Sequence, residues 1–338
     1  MKSVYVTGPD TNEWIEIDPP QVGPHDVLLK MKACGICGSD AMYSHVGGIP
    51  PRQGRTPLGH EPAAEVVEVG AQATGVEPGD HVVVDTMSFS DGLLGSGGAQ
   101  GGLSEYVVVK DFVSGRQLRV IPDDIPWEVA ALNEPMAVAH HAVNVSGAKE
   151  GDKAVVFGAG PIGLGAAISL KSKGVAHLVM VDIQPARLDV AREIGADAVV
   201  NPAHEDVVAR LIELHGEATD GLRHGGHAGT DVYIDAAGVP SVVQTALTAA
   251  KHRAVLTIPA VHKKPVEIDF GKVLATEIEI RTAMGYPTEI FEVTDAIIAN
   301  ADLYARIISH TLPFEQALDA LELARTPGSA DKVVVTFG

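Results

Sequence analysis

Cysteine is nearly absent. Among 338 residues there are only Cys34 and Cys37, both in one short segment. That excludes a disulfide scaffold and any four-cysteine zinc site. Aromatic residues are scarce, at 4%. Basic residues are outnumbered: 25 Lys and Arg against 44 Asp and Glu give 25 − 44 = −19. A surface this acidic repels phosphate backbones and anionic membranes, so neither nucleic acid nor a membrane is an expected partner. No uninterrupted apolar run approaches the ~20 residues that span a bilayer. The first stretch, MKSVYVTGPDTNEWIEIDPP, has no apolar leader region. Reduced thiols, acidity and no leader together point to the cytoplasm. What remains is an ordinary globular composition, 46% hydrophobic and 20% charged, with 14 histidines and many carboxylates as other metal ligands. At ~150 residues per domain, the length fits about two domains.

The chain changes character near residue 150. Before it, short Val-rich runs such as VLLKMKA, AAEVVEVG, HVVVD and SEYVVVK end in Gly and Pro turns. That spacing predicts a β-rich domain of the kind that curls into a barrel. From Asp152 apolar strands alternate with helices: AVVFGAG, PIGLGAAISLKSKG, HLVMVD, PARLDVAREIG and onward. This alternation predicts a parallel sheet covered on both faces. The tail holds helices in EVTDAIIANADLYA and FEQALDALELAR, then a strand, KVVVTFG. It is expected to return to the first domain. The fold class is therefore α/β, with residues 151–282 inserted as a doubly wound domain between 1–150 and 283–338. One stretch is biased: Asp85–Gly102 contains six glycines.

Gly158-Ala159-Gly160-Pro161-Ile162-Gly163 follows a predicted strand and opens a predicted helix. GxGxxG alone is a weak signal, but in this context it marks a dinucleotide site. The first Gly permits the turn, the second lets backbone approach a pyrophosphate, and the third allows close helix–strand packing. Pro161 suits the first helical turn, where no amide donor is needed. Asp182 closes the next strand, 22 residues past Gly160. Its carboxylate can accept both ribose hydroxyls of NAD and would repel a 2′-phosphate. Ile183 follows instead of a basic residue, which also favours NAD. Arg187 can cover the adenine or pair with Asp182.

Cys34-Gly35-Ile36-Cys37 admits three readings: a redox pair, half of a zinc knuckle, or one metal ligand beside a bystander. A redox CxxC is expected to open a helix in a thioredoxin-like unit, whereas this one follows a strand in the β-rich half. A knuckle needs a second pair, and none exists. Gly59-His60-Glu61-Pro62 begins 22 residues after Cys37, just before a predicted strand. His60 taken alone reads as a turn or core histidine.

Together GICGSD, GHEPAAEVVEVG and GAGPIG resemble the zinc-dependent medium-chain dehydrogenases, in order and over essentially the whole chain. Glu134-Pro135 in NEPMAVAHHA makes the polyol branch, which includes sorbitol, 2,3-butanediol and threonine dehydrogenases, the nearest resemblance. The resemblance implies a GroES-like β-rich catalytic domain beside a Rossmann NAD domain. It implies one catalytic zinc held by Cys37 and His60, with one or both of Glu61 and Glu134. Cys34 is then a bystander, and no structural four-cysteine zinc is possible. Ser39 would take the substrate proton, and Asp40 would support the zinc-bound histidine. The family's usual relay histidine falls at Met42; His45, one turn on, or the cofactor's ribose hydroxyls are the candidate replacements, and His45 taken alone reads equally as a surface residue. Tyr286 aligns with a substrate-contacting tyrosine, and Thr282 to Met284 would border the nicotinamide. The Gly-rich stretch, where the family carries its structural-zinc lobe, reads as a shortened connection.

The activity so implied is transfer of hydride from a secondary alcohol, a polyol or vicinal diol, to NAD, giving a ketone. Two rivals remain: a zinc-free quinone or enone reductase of the same fold, and a nucleotide-binding protein without catalysis. Cys37, His60 and Glu134 argue against both, and Asp182 argues against NADPH. The family also implies a homodimer or homotetramer pairing edge strands of the Rossmann sheet.

Overall fold

The computed structural model describes residues 1–49, 52–326 and 328–338. Backbone contacts divide it into two compact units, Met1–Glu134 with Ile290–Gly338, and Pro135–Glu289.

The first unit is built on a seven-stranded sheet. Its strands include β1 (Val27–Ile36), β2 (Glu61–Val69), β3 (His81–Val84), β4 (Tyr106–Val109) and β5 (Leu118–Ile121). Between β1 and β2 lies the helix α1 (Gly38–Val46). The tail returns here, as its strand Lys332–Thr336 pairs antiparallel with β1. Alternation along β1 sends Val27, Leu29 and Met31 into one core with Val66, Val82 and Val107. Register matters at the far end: Cys34 faces Pro62 and Gly35 faces Glu61. The turn after β1 and the start of β2 are thereby brought side by side.

Helix α2 (Asn133–Ser146) crosses from the first unit to the second. The second unit is a six-stranded, all-parallel sheet. Its strands are β6 (Lys153–Phe157), β7 (His177–Val181), β8 (Ala198–Val200), β9 (Val232–Asp235), β10 (Val255–Ile258) and β11 (Glu279–Thr282). The spatial order is β8-β7-β6-β9-β10-β11, the doubly wound dinucleotide-binding arrangement. Helices α3 (Pro161–Ser172) and α4 (Val207–His215) are among its crossovers. Strand residues such as Val155, Val179 and Tyr233 are fully buried, as expected of strands covered on both faces.

The division falls at Glu134/Pro135 and Glu289/Ile290, not at residues 150 and 283. Packing explains the difference. The body of α2 lies against α3, so closely that a Cβ on Gly165 would meet Met136 Sδ at 2.7 Å. Arg281 donates to the carbonyls of Val145 and Ser146, and Glu289 accepts from His141 and Asn144. Among the described residues no helix is long and apolar enough to cross a membrane.

Candidate metal centre and dinucleotide site

Cys37 is the N-cap of α1. Asp40 closes the cap, its Oδ2 accepting from Cys37 N at 2.9 Å. This fixes the Cys37 backbone at the positive end of a helix. The other oxygen of Asp40, which is fully buried, lies 3.4 Å from His60 Nδ1. A carboxylate behind an imidazole orients the ring and sets which nitrogen is free. His60 Nε2 is 3.2 Å from Ser39 Oγ. Burial alone would lower the His60 pKa; Asp40 and the Cys37 sulfur outweigh burial and raise it well above the ordinary imidazole value.

Glu61 begins β2 and is 1% exposed. Its Oε2 pairs with the buried ammonium of Lys332, which also donates to Ile36 O at 3.1 Å. Gly35 makes room for that pair, since a Cβ there would stand 1.9 Å from Glu61 Oε2. Glu61 Oε1 is buried with no protein hydrogen-bond partner. An orphaned buried carboxylate oxygen is costly, and a cation is the natural way to satisfy it.

One ligand atom each from Cys37, His60 and Glu61 lies within 4.8 Å of the others. One half-buried sulfur with one buried imidazole and one buried carboxylate suits zinc with an open fourth position. Glu134 falls outside this group. Its electrostatic neighbours are nonetheless His60, Glu61, Lys332 and Asp40. Burial pushes its carboxyl up to about 8, with Glu61 and Asp40 adding to the rise and His60 and Lys332 opposing it. Cys34 is fully buried, and burial pushes its thiol up. A protonated, enclosed thiol fits the bystander reading.

His45 stands on the surface. Its side chain is 78% exposed and lies 3.4 Å from Asp10 on the surface. At ~100° per residue, six residues carry it about 120° around the helix from Ser39, so it does not share that face. Sequence proximity hid the helical phase. Tyr286 is buried within the second unit, while Thr282 and Met284 near it are exposed. Sequence reasoning missed Lys332, because a lysine opening a Val-rich strand reads as an edge charge.

The glycine motif sits where β6 gives way to α3. Gly158 has φ +93°, a conformation that a side chain would strain. Gly163 packs so tightly that a Cβ would lie 1.7 Å from Gly158 O. A Cβ on Gly160 would meet nothing nearer than Arg187 Nη1 at 3.9 Å, leaving its backbone open to a ligand. Pro161 begins the helix, and Ile162 follows it in the first turn. Asp182, just past β7, accepts from Ala159 N at 2.7 Å and from Gln184 N at 2.8 Å. Arg187 Nη1 is 3.9 Å from its Oδ2. Gly158, Gly160, Asp182 and Arg187 border a cleft of about 370 Å³ with Ile183, Val239 and Val242 among its apolar walls. An apolar cleft that holds a carboxylate and borders the start of a helix suits an adenosine and its pyrophosphate.

The family described as "Zinc-binding dehydrogenase" matches residues 161–300, and "Alcohol dehydrogenase GroES-like domain" matches residues 23–115. The chain is 36% identical to (R,R)-butanediol dehydrogenase of Bacillus subtilis over 80% of each chain. It is 28% identical to sorbitol dehydrogenase of Bombyx mori, covering 95% of this chain and 94% of that one. The crystal structure of 2R,3R-butanediol dehydrogenase from Bacillus subtilis superposes with a TM-score of 0.85 at 30% identity, over 99% of both chains.

Proposed function

The chain belongs to the zinc-binding medium-chain dehydrogenases and is an alcohol or polyol dehydrogenase, and on that premise we propose that it oxidises a secondary hydroxyl of a vicinal diol or polyol to a ketone, with NAD as acceptor. The convergence of half-buried Cys37 with buried His60 and Glu61 carries this reading. Zinc held there would supply a Lewis acid that makes a bound hydroxyl acidic near neutral pH. Ser39, half-buried and 3.2 Å from His60, would relay the hydroxyl proton, taking it up as its own proton passes on to solvent. Asp40 keeps the imidazole oriented, and Lys332 balances the charge of Glu61.

Two features support a polyhydroxylated substrate. The donor set has one thiolate and is otherwise nitrogen and carboxylate, a harder environment than two thiolates provide. Glu134, a buried carboxyl with His60 and Glu61 among its electrostatic neighbours, is a second group able to meet a hydroxyl beside the first. The relatives named for butanediol and sorbitol point the same way. Asp182 at the cleft supports NAD over NADP. The edge strand β11 exposes Ile280, and Phe270, Leu274 and Met284, within ten residues of it along the chain, are exposed as well. We read this apolar edge as the surface where a second copy pairs.

A panel of vicinal diols, sugar alcohols and simple secondary alcohols with NAD, followed by NADH absorbance, tests the proposal. Vicinal diols or polyols should give the highest kcat/KM. Absence of NADH formation from every diol and polyol would reject it.

A further inference from the structure

Asp85–Gly102 is more than a shortened connection. Its second half is seated on the backbone that leads into His60. Gly102 N donates to Gly59 O at 2.7 Å, and Leu103 N donates to Leu58 O at 3.0 Å. Ser96 forms an isolated antiparallel bridge with Leu58. The approach leaves no space for side chains. A Cβ on Gly95 would stand 2.0 Å from Gly59 O and 2.8 Å from His60 N. Gly95 also has φ +67°.

The loop is itself held. Phe89 and Leu94 are buried in the core of the first unit. The side chain of Gln100 acts like an extra strand residue against Val108: Nε2 donates to Val108 O at 2.8 Å, and Oε1 accepts from Val108 N at 2.9 Å. Nε2 also donates to Asp91 Oδ2 at 3.1 Å, and Gly95 N donates to Gln100 O at 2.8 Å. The same turn touches the helix that begins at Cys37, where Tyr43 Oη donates to Ser96 Oγ at 3.4 Å.

We propose that Gly95 is a positioning residue of the metal centre. Seated on Gly59 and anchored through Gln100, its turn sets where the His60 imidazole stands relative to the Cys37 sulfur. Metal affinity and coordination geometry then depend on a loop that supplies no ligand. The inference rests on the zinc reading of Cys37, His60 and Glu61.

The test uses the full chain and three variants. Gly95→Ala forces the loop off Gly59. Gln100→Ala frees the loop from β4 without touching Gly59. Gly115→Ala is the matched control: its φ is +74°, but a Cβ there meets nothing within 4 Å. Zinc affinity is read by competition with a chromophoric chelator, geometry by the visible spectrum of the cobalt(II) form, and integrity of the second unit by NAD binding. Gly95→Ala should weaken zinc binding by about tenfold or more and alter the cobalt bands, as loss of a metal's supporting contacts does. Gln100→Ala should act in the same direction by a smaller factor. Gly115→Ala should leave zinc affinity, and all variants NAD affinity, within about twofold of the parent. The inference is overturned if Gly95→Ala matches the parent in both metal readouts, or if Gly115→Ala falls as far as Gly95→Ala. If Gly95→Ala does not fold, Gln100→Ala decides by the same criteria. A parent chain that binds no zinc would overturn the metal reading itself, a failure distinct from that of the loop.

Discussion

Asp182 shows how one side chain serves fold and ligand together. It ties the glycine turn to β7 through Ala159, caps its own turn through Gln184, and leaves a negative charge at the cleft beside Arg187. Asp182→Asn keeps an acceptor for Ala159 but removes the charge. The ratio of kcat/KM for NAD to that for NADP should fall by about tenfold, equivalent to about 1.4 kcal/mol of discrimination. Steady-state kinetics with both cofactors checks it; an unchanged ratio would remove Asp182 from cofactor selection. At this scale the sequence was informative where residue type and chemistry coincide. Cys37, His60 and Glu61 converge, and Asp182 stands where the motif placed it. It was silent where position depends on helical phase or long-range pairing. His45 points to solvent beside Asp10, and Lys332 reaches Glu61 from 271 residues away.

Helices and strands of the second unit were legible because buried strands and amphipathic helices leave different patterns. The helix α1 was not: GSDAMYSHV shows no apolar stripe, and only the Cys37–Asp40 cap marks its start. The helix expected over EVTDAIIANADLYA is broken into Glu292–Ala299 and Ala301–Ala305 at Asn300, whose side chain bonds back to Ala296 O. An asparagine amide competing for helix carbonyls accounts for that break.

One seam between elements carries a pH dependence. His215 ends α4 and is 2% exposed, with Nδ1 2.7 Å from Thr230 Oγ1 and Nε2 3.1 Å from His177. Burial, with the charges of His177 and Lys153 adding to it, lowers its pKa to about 4 from the ordinary 6.5. The folded chain therefore refuses a proton that the unfolded chain accepts. Stability is unaffected above pH 6.5 and falls as the pH drops from 6.5 toward 4. Glu289 works in a different window. Hydrogen bonds from His141, Thr288 and Asn144 outweigh burial and bring its pKa down to about 2 from 4.5. Its contribution is present above pH 4.5 and is lost only below it. Between pH 6.5 and 5 the His215 effect does not overlap that of Glu289, and comparison of parent with variant isolates it from other groups. The melting temperature of His215→Gln should decline less over that interval than the parent's. Equal declines in the two proteins would contradict this assignment.

At the scale of the whole molecule the chain leaves the first unit at Glu134, builds the parallel sheet, and returns at Ile290. The zinc candidates all lie in the first unit and the glycine motif in the second, so metal and cofactor binding are separable. The most direct measurement is diol-dependent NADH formation by the intact chain before chelation, after chelation, and after zinc is returned, with NAD binding followed in parallel. Turnover should vanish with the metal and recover with zinc, while NAD affinity stays within about twofold. Full turnover in the metal-free chain would contradict the account.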